Sequence, residues 1–273
     1  MIYFYPTPKK IIMIYSLFFK KSIKKKFVFS LFLFILSFSF VIPSYAQDEK
    51  AEGTLTDTIL LDTILEEKNI EEEYMDIILA IDISYSMKVE DVMPTRLEAV
   101  KSAAQQLMSV HTTARYGIVL FAGESMLYAN LDDKEADLYQ LLERASPDLI
   151  DGTGTVIGEA LTTSIQEFER VGSTNRKIII FSDGATSETD NIFERALMFT
   201  TKRNVEVYAI GVGQAGEATI TTPDQEHITI KSPYNDDSLK EISLFTNGKY
   251  YHAESFEEMS QIAEQISLLL NTK

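Results

Sequence analysis

The stretch "DIILAIDISYSMKV", Asp76 to Val89, decides how this chain reads. Its apolar run, Ile77 to Ile81, is that of a buried strand. The run stops at an acid, and hydroxyl side chains follow at alternate positions: Asp82, Ser84 and Ser86. Asp and Ser often carry a chain from a strand into a turn, because their side chains bond nearby backbone groups. The same three oxygen-bearing side chains can also begin a metal site. The rest of the chain has to choose between these readings.

Downstream, strand-like and helix-like segments alternate. "RLEAVKSAAQQLMSV" places Leu97, Val100, Ala104, Leu107 and Met108 at the spacing of an amphipathic helix. "RYGIVLFAG" reads as a second strand, and "SMLYANL" follows so closely that a hairpin is expected. The helices "KEADLYQLLERA" and "GEALTTSIQEFERV" precede the strand "RKIIIFSDG". A helix near Ile192–Lys202, the strand "NVEVYAIGVG", a β-rich insert at 218–231, the helix "DDSLKEISLFT", the strand "KYYHA" and the helix "FEEMSQIAEQISLLL" complete the order. Strands separated by helices specify an α/β fold: a three-layer, doubly wound, mostly parallel sheet with one antiparallel strand and helices on both faces. By sequence order the insert falls on the far side of the sheet, and it is expected as surface decoration, with a hairpin that adds partner contacts as the alternative.

In such folds ligands sit beyond the carboxyl ends of the strands. Asp82, Ser84 and Ser86 end the first strand, and "SDG", Ser182 to Gly184, ends another. "GTGTVIG", Gly152 to Gly158, opens a helix between them. Three polar loops therefore converge on one edge, which turn chemistry alone does not require.

Several chemistries fit poorly. An Asp-x-Asp phosphatase needs a second acid where Ser84 stands, so nucleophile and base do not coexist. "GTGTVIG" lacks the preceding apolar strand of a dinucleotide loop. A serine hydrolase needs Gly-x-Ser-x-Gly and a partner histidine. His111, His227 and His252 show no ligand spacing and read as structural. A hard divalent cation remains. Mg²⁺ takes six oxygens and keeps some waters. Ser84, Ser86 and a threonine can supply neutral hydroxyls, and Asp82 and Asp183 can supply charge, directly or through water. Neutral ligands leave the ion electrophilic toward a carboxylate brought from outside, as a docking site requires. No side chain stands out as a base for a metal-bound water.

In this order, "DISYS", "GTVIG" and "FSDG" resemble the metal-ion-dependent adhesion site of von Willebrand factor type A domains. "RLEAVK", "RYGIVLFAGESMLY", "GTVIGEAL", "VYAIGVG" and "SLKEISLFTNGKYYHA" are similar to the Bat (Bacteroides aerotolerance) group of bacterial envelope proteins, with BatA-like character. The resemblance runs from Tyr74 to about Leu270. It implies a non-enzymatic, protein-binding module. Ser84 and Ser86 would be direct metal ligands, Asp82 would orient them and hold a coordinated water, and Asp183 would act through water. Thr155 would be the ligand from the second loop, by its spacing to Ile157-Gly158, with Thr153 the competing assignment. The implied ion is Mg²⁺ or Mn²⁺ in preference to Ca²⁺, which recruits more carboxylates. The implied partner is a protein presenting an exposed Glu or Asp, in envelope assembly or stress tolerance. The alternatives are a structural module whose ion only rigidifies the loops, and a metal-dependent phosphohydrolase. Bat proteins usually carry membrane helices beside the domain, whereas this sequence ends at "LLLNTK".

Composition bounds the rest. The 273 residues are 45% apolar, with no Cys and a formal charge of −16. The absence of Cys excludes disulfides, thiolate metal sites, a Cys nucleophile and a lipoprotein anchor. Residues 1–46 hold seven Lys and no acid, leaving 18 basic and 41 acidic side chains, a formal −23, on the remainder. Such a surface repels phosphate backbones and argues against nucleic-acid binding. Lys20, Lys21 and Lys24 to Lys26 precede "FVFSLFLFILSFSFVI", and Ser44-Tyr45-Ala46 supplies a small-x-small end. This is the order of a secretory signal peptide over 1–46, cut after Ala46, with Met13 an alternative start. Left uncut, it is a signal anchor and the chain's one membrane attachment. Residues 47–73 read as an acidic, solvated linker, and 74–273 as the domain. The product is expected to be exported, to the periplasm or cell envelope.

Overall fold

The computed structural model describes residues 74–110, 113–150, 154–222, 224–232 and 234–271. The chain divides into units at Met1–Lys68 and Asn69–Lys273, and all described residues belong to the second. The signal segment, the acidic linker, His111 and Thr153 lie outside the described residues.

The quoted stretch forms β1, Met75–Asp82, buried from Asp76 onward. The predicted helix forms at its expected bounds as α1, Arg96–Val110. The Thr95 hydroxyl caps its amino end, accepting from the Glu98 amide at 3.2 Å. The order continues with β2 (Arg115–Phe121), β3 (Ser125–Ala129), α2 (Glu135–Arg144), α3 (Ile157–Arg170), β4 (Asn175–Ser182) and α4 (Asp190–Lys202). It then runs through β5 (Glu206–Val212), β6 (Gly216–Thr221), β7 (His227–Ser232), α5 (Asp237–Phe245), β8 (Tyr250–Ala253) and α6 (Phe256–Asn271).

The main sheet has the order β3-β2-β1-β4-β5-β8. All neighbours are parallel except β2 and β3, the expected hairpin. Alternate residues of β1 face opposite layers. Ile77, Leu79 and Ile81 pack with α1, α2 and α6, while Ile78 and Ala80 pack with α3, α4 and α5. This is the three-layer, doubly wound arrangement read from the sequence. Strand order reverses at β1, which lies between β2 and β4, so a crevice opens at the carboxyl ends of β1 and β4. Among the described residues no helix is long and apolar enough to cross a membrane.

The insert departs from expectation in position. It is a two-stranded antiparallel sheet, β6 with β7. It does not lie away from the site. The Glu90 amide, just past the first polar loop, donates to the Thr219 carbonyl at 2.9 Å. The Thr221 hydroxyl also bonds the Glu90 carboxylate. Linear order put the hairpin at a distance. The parallel sheet brings the residues after β5 back beside those after β1.

Leu79 is fully buried in the central strand. Leu79→Ala is expected to lower unfolding free energy by about 2–5 kcal/mol, through lost burial plus the residual cavity. Urea denaturation of the domain with and without the substitution checks this.

Candidate metal centre

Asp82 ends β1 with no exposure to solvent. Both of its oxygens are engaged. One accepts from the Ser84 amide at 2.8 Å, and the other from the Ser182 hydroxyl at 2.6 Å. Burial, followed by the nearby charge of Asp183, pushes the Asp82 carboxyl up to about 7, against the opposing pull of the bonds from Ser182 and Ser84. After Asp82 the chain turns into a single 3₁₀ turn, Tyr85–Lys88. The Ser84 and Ser86 hydroxyls stand 3.0 Å apart, while Tyr85 between them is 58% exposed.

The second loop enters α3. Thr155 is buried and fastened backbone-first to the segment after β4. Its amide donates to the Ser187 hydroxyl at 3.0 Å, and its carbonyl accepts from the Ser187 amide at 2.9 Å. Gly154 makes this approach possible. Its φ is +109°, and a Cβ there would lie 2.3 Å from the Ser187 Oγ. The Val156 amide donates to the Ala122 carbonyl and the Ile83 amide to the Phe121 carbonyl, so the end of β2 ties both loops to one edge. Gly158 is a close helix contact, as expected: a Cβ there would lie 3.0 Å from that of Ala196 in α4.

The third loop follows β4. Asp183 is fully buried and accepts from the Ala185 amide at 3.2 Å. Its other oxygen accepts from Arg96 Nη1 at 3.0 Å. Its carbonyl accepts from the Asn235 amide at 3.0 Å. Gly184, with φ +74°, allows the backbone of Asn235 to come that close, since a Cβ would sit 1.9 Å from the Asn235 carbonyl oxygen.

Asp82, Ser84, Ser86 and Asp183 are thus joined by direct bonds or by one intervening side chain, and Thr155 is held at the same edge. All of the candidate donors are oxygens, three of them neutral hydroxyls, a set that suits a small hard cation. Among the described residues no group of three or more His, Cys, Asp or Glu could hold an ion. The two described histidines are engaged elsewhere. His252 Nε2 meets the Gly213 carbonyl at 2.7 Å, and His227 Nδ1 the Thr221 hydroxyl at 3.0 Å.

The residue that sequence reading passed over is Arg96. Its side chain is fully buried. Its fork bonds both oxygens of Asp91, at 2.8 and 2.5 Å, as well as Asp183, the Ser232 hydroxyl at 2.6 Å and, at 3.5 Å, the Ser86 carbonyl. A signal was present. Arg at the first position of a helix opposes the helix dipole, so its placement there implies acidic partners.

Residues 77–185 match the family model described as the von Willebrand factor type A domain. Among solved structures, conserved hypothetical protein BatB from Bacteroides thetaiotaomicron is 26% identical with a TM-score of 0.61, covering 72% of this chain and 99% of that one. Proximal thread matrix protein 1 from the mussel byssus, solved with zinc in its MIDAS (metal-ion-dependent adhesion site) motif, is 20% identical with a TM-score of 0.55. That match covers 72% of this chain and 46% of the mussel chain, and at this identity it shows the fold alone. A UPF0353 protein from Mycolicibacterium paratuberculosis is 28% identical over 196 residues, covering 68% of this chain and 57% of the relative. The chain thus spans a little over half the length of that curated relative.

Ser182 is fully buried; its hydroxyl donates to Asp82 and accepts from the Gly184 amide at 2.9 Å. Ser182→Ala leaves both partners short of a bond. It is expected to lower stability by about 1–3 kcal/mol, read as a lowered melting temperature in EDTA.

Proposed function

We propose, for a chain that carries a von Willebrand factor type A domain, that the candidate centre holds a divalent cation and that this cation docks an acidic side chain of a protein partner. The observation that carries the reading is that Ser84 and Ser86, 3.0 Å apart, follow buried Asp82 at the sheet edge where buried Asp183 also stands, with the loop of Thr155 tied to the end of β2 there. Such domains serve in general as interaction modules. A structure with this fold has been seen with zinc in its MIDAS motif.

In this reading the Ser84, Ser86 and Thr155 hydroxyls are the direct ligands. Asp82, fixed by Ser84 and Ser182, orients the first two and holds a coordinated water. Asp183 acts through water. The ion is Mg²⁺ or Mn²⁺, and when bound it supplies a Lewis-acidic position for an incoming carboxylate. The chain's own residues favour docking over hydrolysis. Both site acids already have hydrogen-bond donors, so neither is placed as a free base. A formal −23 over residues 47–273 repels acidic partners at long range, so the partner presents one Glu or Asp inside a neutral or basic rim. The Bat resemblance and the N-terminal sequence support an exported envelope protein with a signal peptide over 1–46, a linker over 47–73 and the domain over 74–273.

Ser84→Ala, Ser86→Ala and Thr155→Ala are each expected to abolish Mg²⁺-dependent capture of an envelope partner. Melting temperatures in EDTA should shift little for the two serine variants, each of which loses one hydroxyl, whereas Thr155→Ala also deletes a buried methyl and should cost about 1 kcal/mol. Capture that persists in EDTA and in all three variants would favour the structural alternative, in which the ion only rigidifies the loops. Release of phosphate from a phosphoester substrate, lost in the same variants, would favour the hydrolase.

Exported protein is expected to begin at Gln47 by N-terminal sequencing. A product retaining Lys24 to Lys26 would instead show an anchor.

A further inference from the structure

We propose that Arg96 is a counter-cation built into the centre. It competes with the divalent ion for Asp183, and it ties the β6–β7 hairpin to that competition. The inference rests on reading the centre as a divalent-cation site.

A guanidinium carries five N–H donors. Those of Arg96 are directed at Asp91 twice, at Asp183, at the Ser232 hydroxyl and at the Ser86 carbonyl. The group has no contact with solvent, and neither does Asp183. A charge held this way is screened far less by water or salt than a surface charge, and although Asp91 offsets part of it, its field acts on whatever enters beside Asp183. An incoming divalent cation meets a carboxylate already paired with a fixed positive charge. The two cations repel, and the ion recovers only part of the attraction that a free Asp183 would offer.

The guanidinium also has little freedom to withdraw. A Cβ on Gly213 would lie 2.2 Å from Arg96 Nε, so the backbone after β5 already presses on it. Moving the fork away from Asp183 means disturbing Asp91, whose second oxygen also accepts from the Gln214 amide at 3.0 Å, or Ser232 at the end of β7. Arg96 is therefore a positioning residue that joins the centre to the hairpin. Another buried acid with an arginine partner serves as a comparison. Asp76 pairs with Arg115 at the opposite end of β1, but Arg115 is 35% exposed and its field is open to screening.

A purely structural Arg96 and a competing Arg96 predict opposite signs, which makes the test decisive. Arg96→Met combined with Asp91→Asn removes the cation together with its second acid. The asparagine keeps an acceptor for the Gln214 amide. By calorimetry with Mn²⁺ alone, the double variant is expected to bind at least tenfold more tightly than the wild type. Arg96→Lys, which keeps the charge, should stay within threefold of it. Melting in EDTA identifies the folded variants. A folded double variant that binds Mn²⁺ no more tightly than the wild type overturns the proposal, as does a lysine variant that binds as tightly as the double variant.

If the double variant does not fold, the wild type still decides the question. Titration with Mg²⁺ should shift the Arg96 Nε–H nitrogen and proton resonances and leave those of Arg115 in place. No shift of Arg96 at saturating Mg²⁺ sinks the inference while leaving the metal reading intact. Absence of Mn²⁺ and Mg²⁺ binding in wild type and variants alike removes both readings together. Binding gained only in the double variant supports the counter-cation.

Discussion

An ionisable group with no access to water must find its partners inside the protein, and three such groups, Asp82, Asp183 and Arg96, meet at one edge of this sheet. Burying an ion is costly, and removing one member of a buried pair leaves the other uncompensated. The surrounding structure is organised around that constraint. Ser182 and the Ser84 amide satisfy Asp82. Ala185 and Arg96 satisfy Asp183. Asp91 and Ser232 satisfy what remains of the guanidinium. Ser182, Arg96 and Ser232 come from stretches remote from the groups they satisfy, so these bonds also set the relative positions of the loops.

The sheet makes this possible. β1 pairs in parallel with both β2 and β4, in register to its last residues, and so their carboxyl ends lie side by side. Helices on both faces exclude water along the strands, and only the edge is left for polar groups. The hydroxyls that converge there are poor at neutralising an ion. For a docking site that is an advantage, because attraction left unspent on the protein is available to a partner.

Arg96 changes how such a centre is understood. Its acids alone would describe a strongly anionic pocket. With the guanidinium in place, one of them is already paired, and the pairing extends through Ser232 into a hairpin that first looked like decoration. The centre and the hairpin share one buried polar network, in which a change at one bond is felt at the others.

Much of this was legible in the sequence. Period and composition marked the strands and helices, because burial on a two-sided sheet demands apolar runs and burial on one helix face demands a 3.6-residue spacing. α1 forms at its expected bounds, and the β2–β3 hairpin was visible in its short connection. Asp82, Ser84, Ser86, Asp183 and a threonine of the second loop could be named as candidates because strand ends and helix starts in this topology share an edge. The threonine was narrowed to Thr155 by resemblance alone, and Thr153 lies outside the described residues. What only the tertiary structure decided was partnership. That Arg96 reaches Asp183, 87 positions away, and Ser232, 136 positions away, follows from no local pattern. A buried ion chooses its partners by distance in space, and the chain's linear order carries no record of that distance.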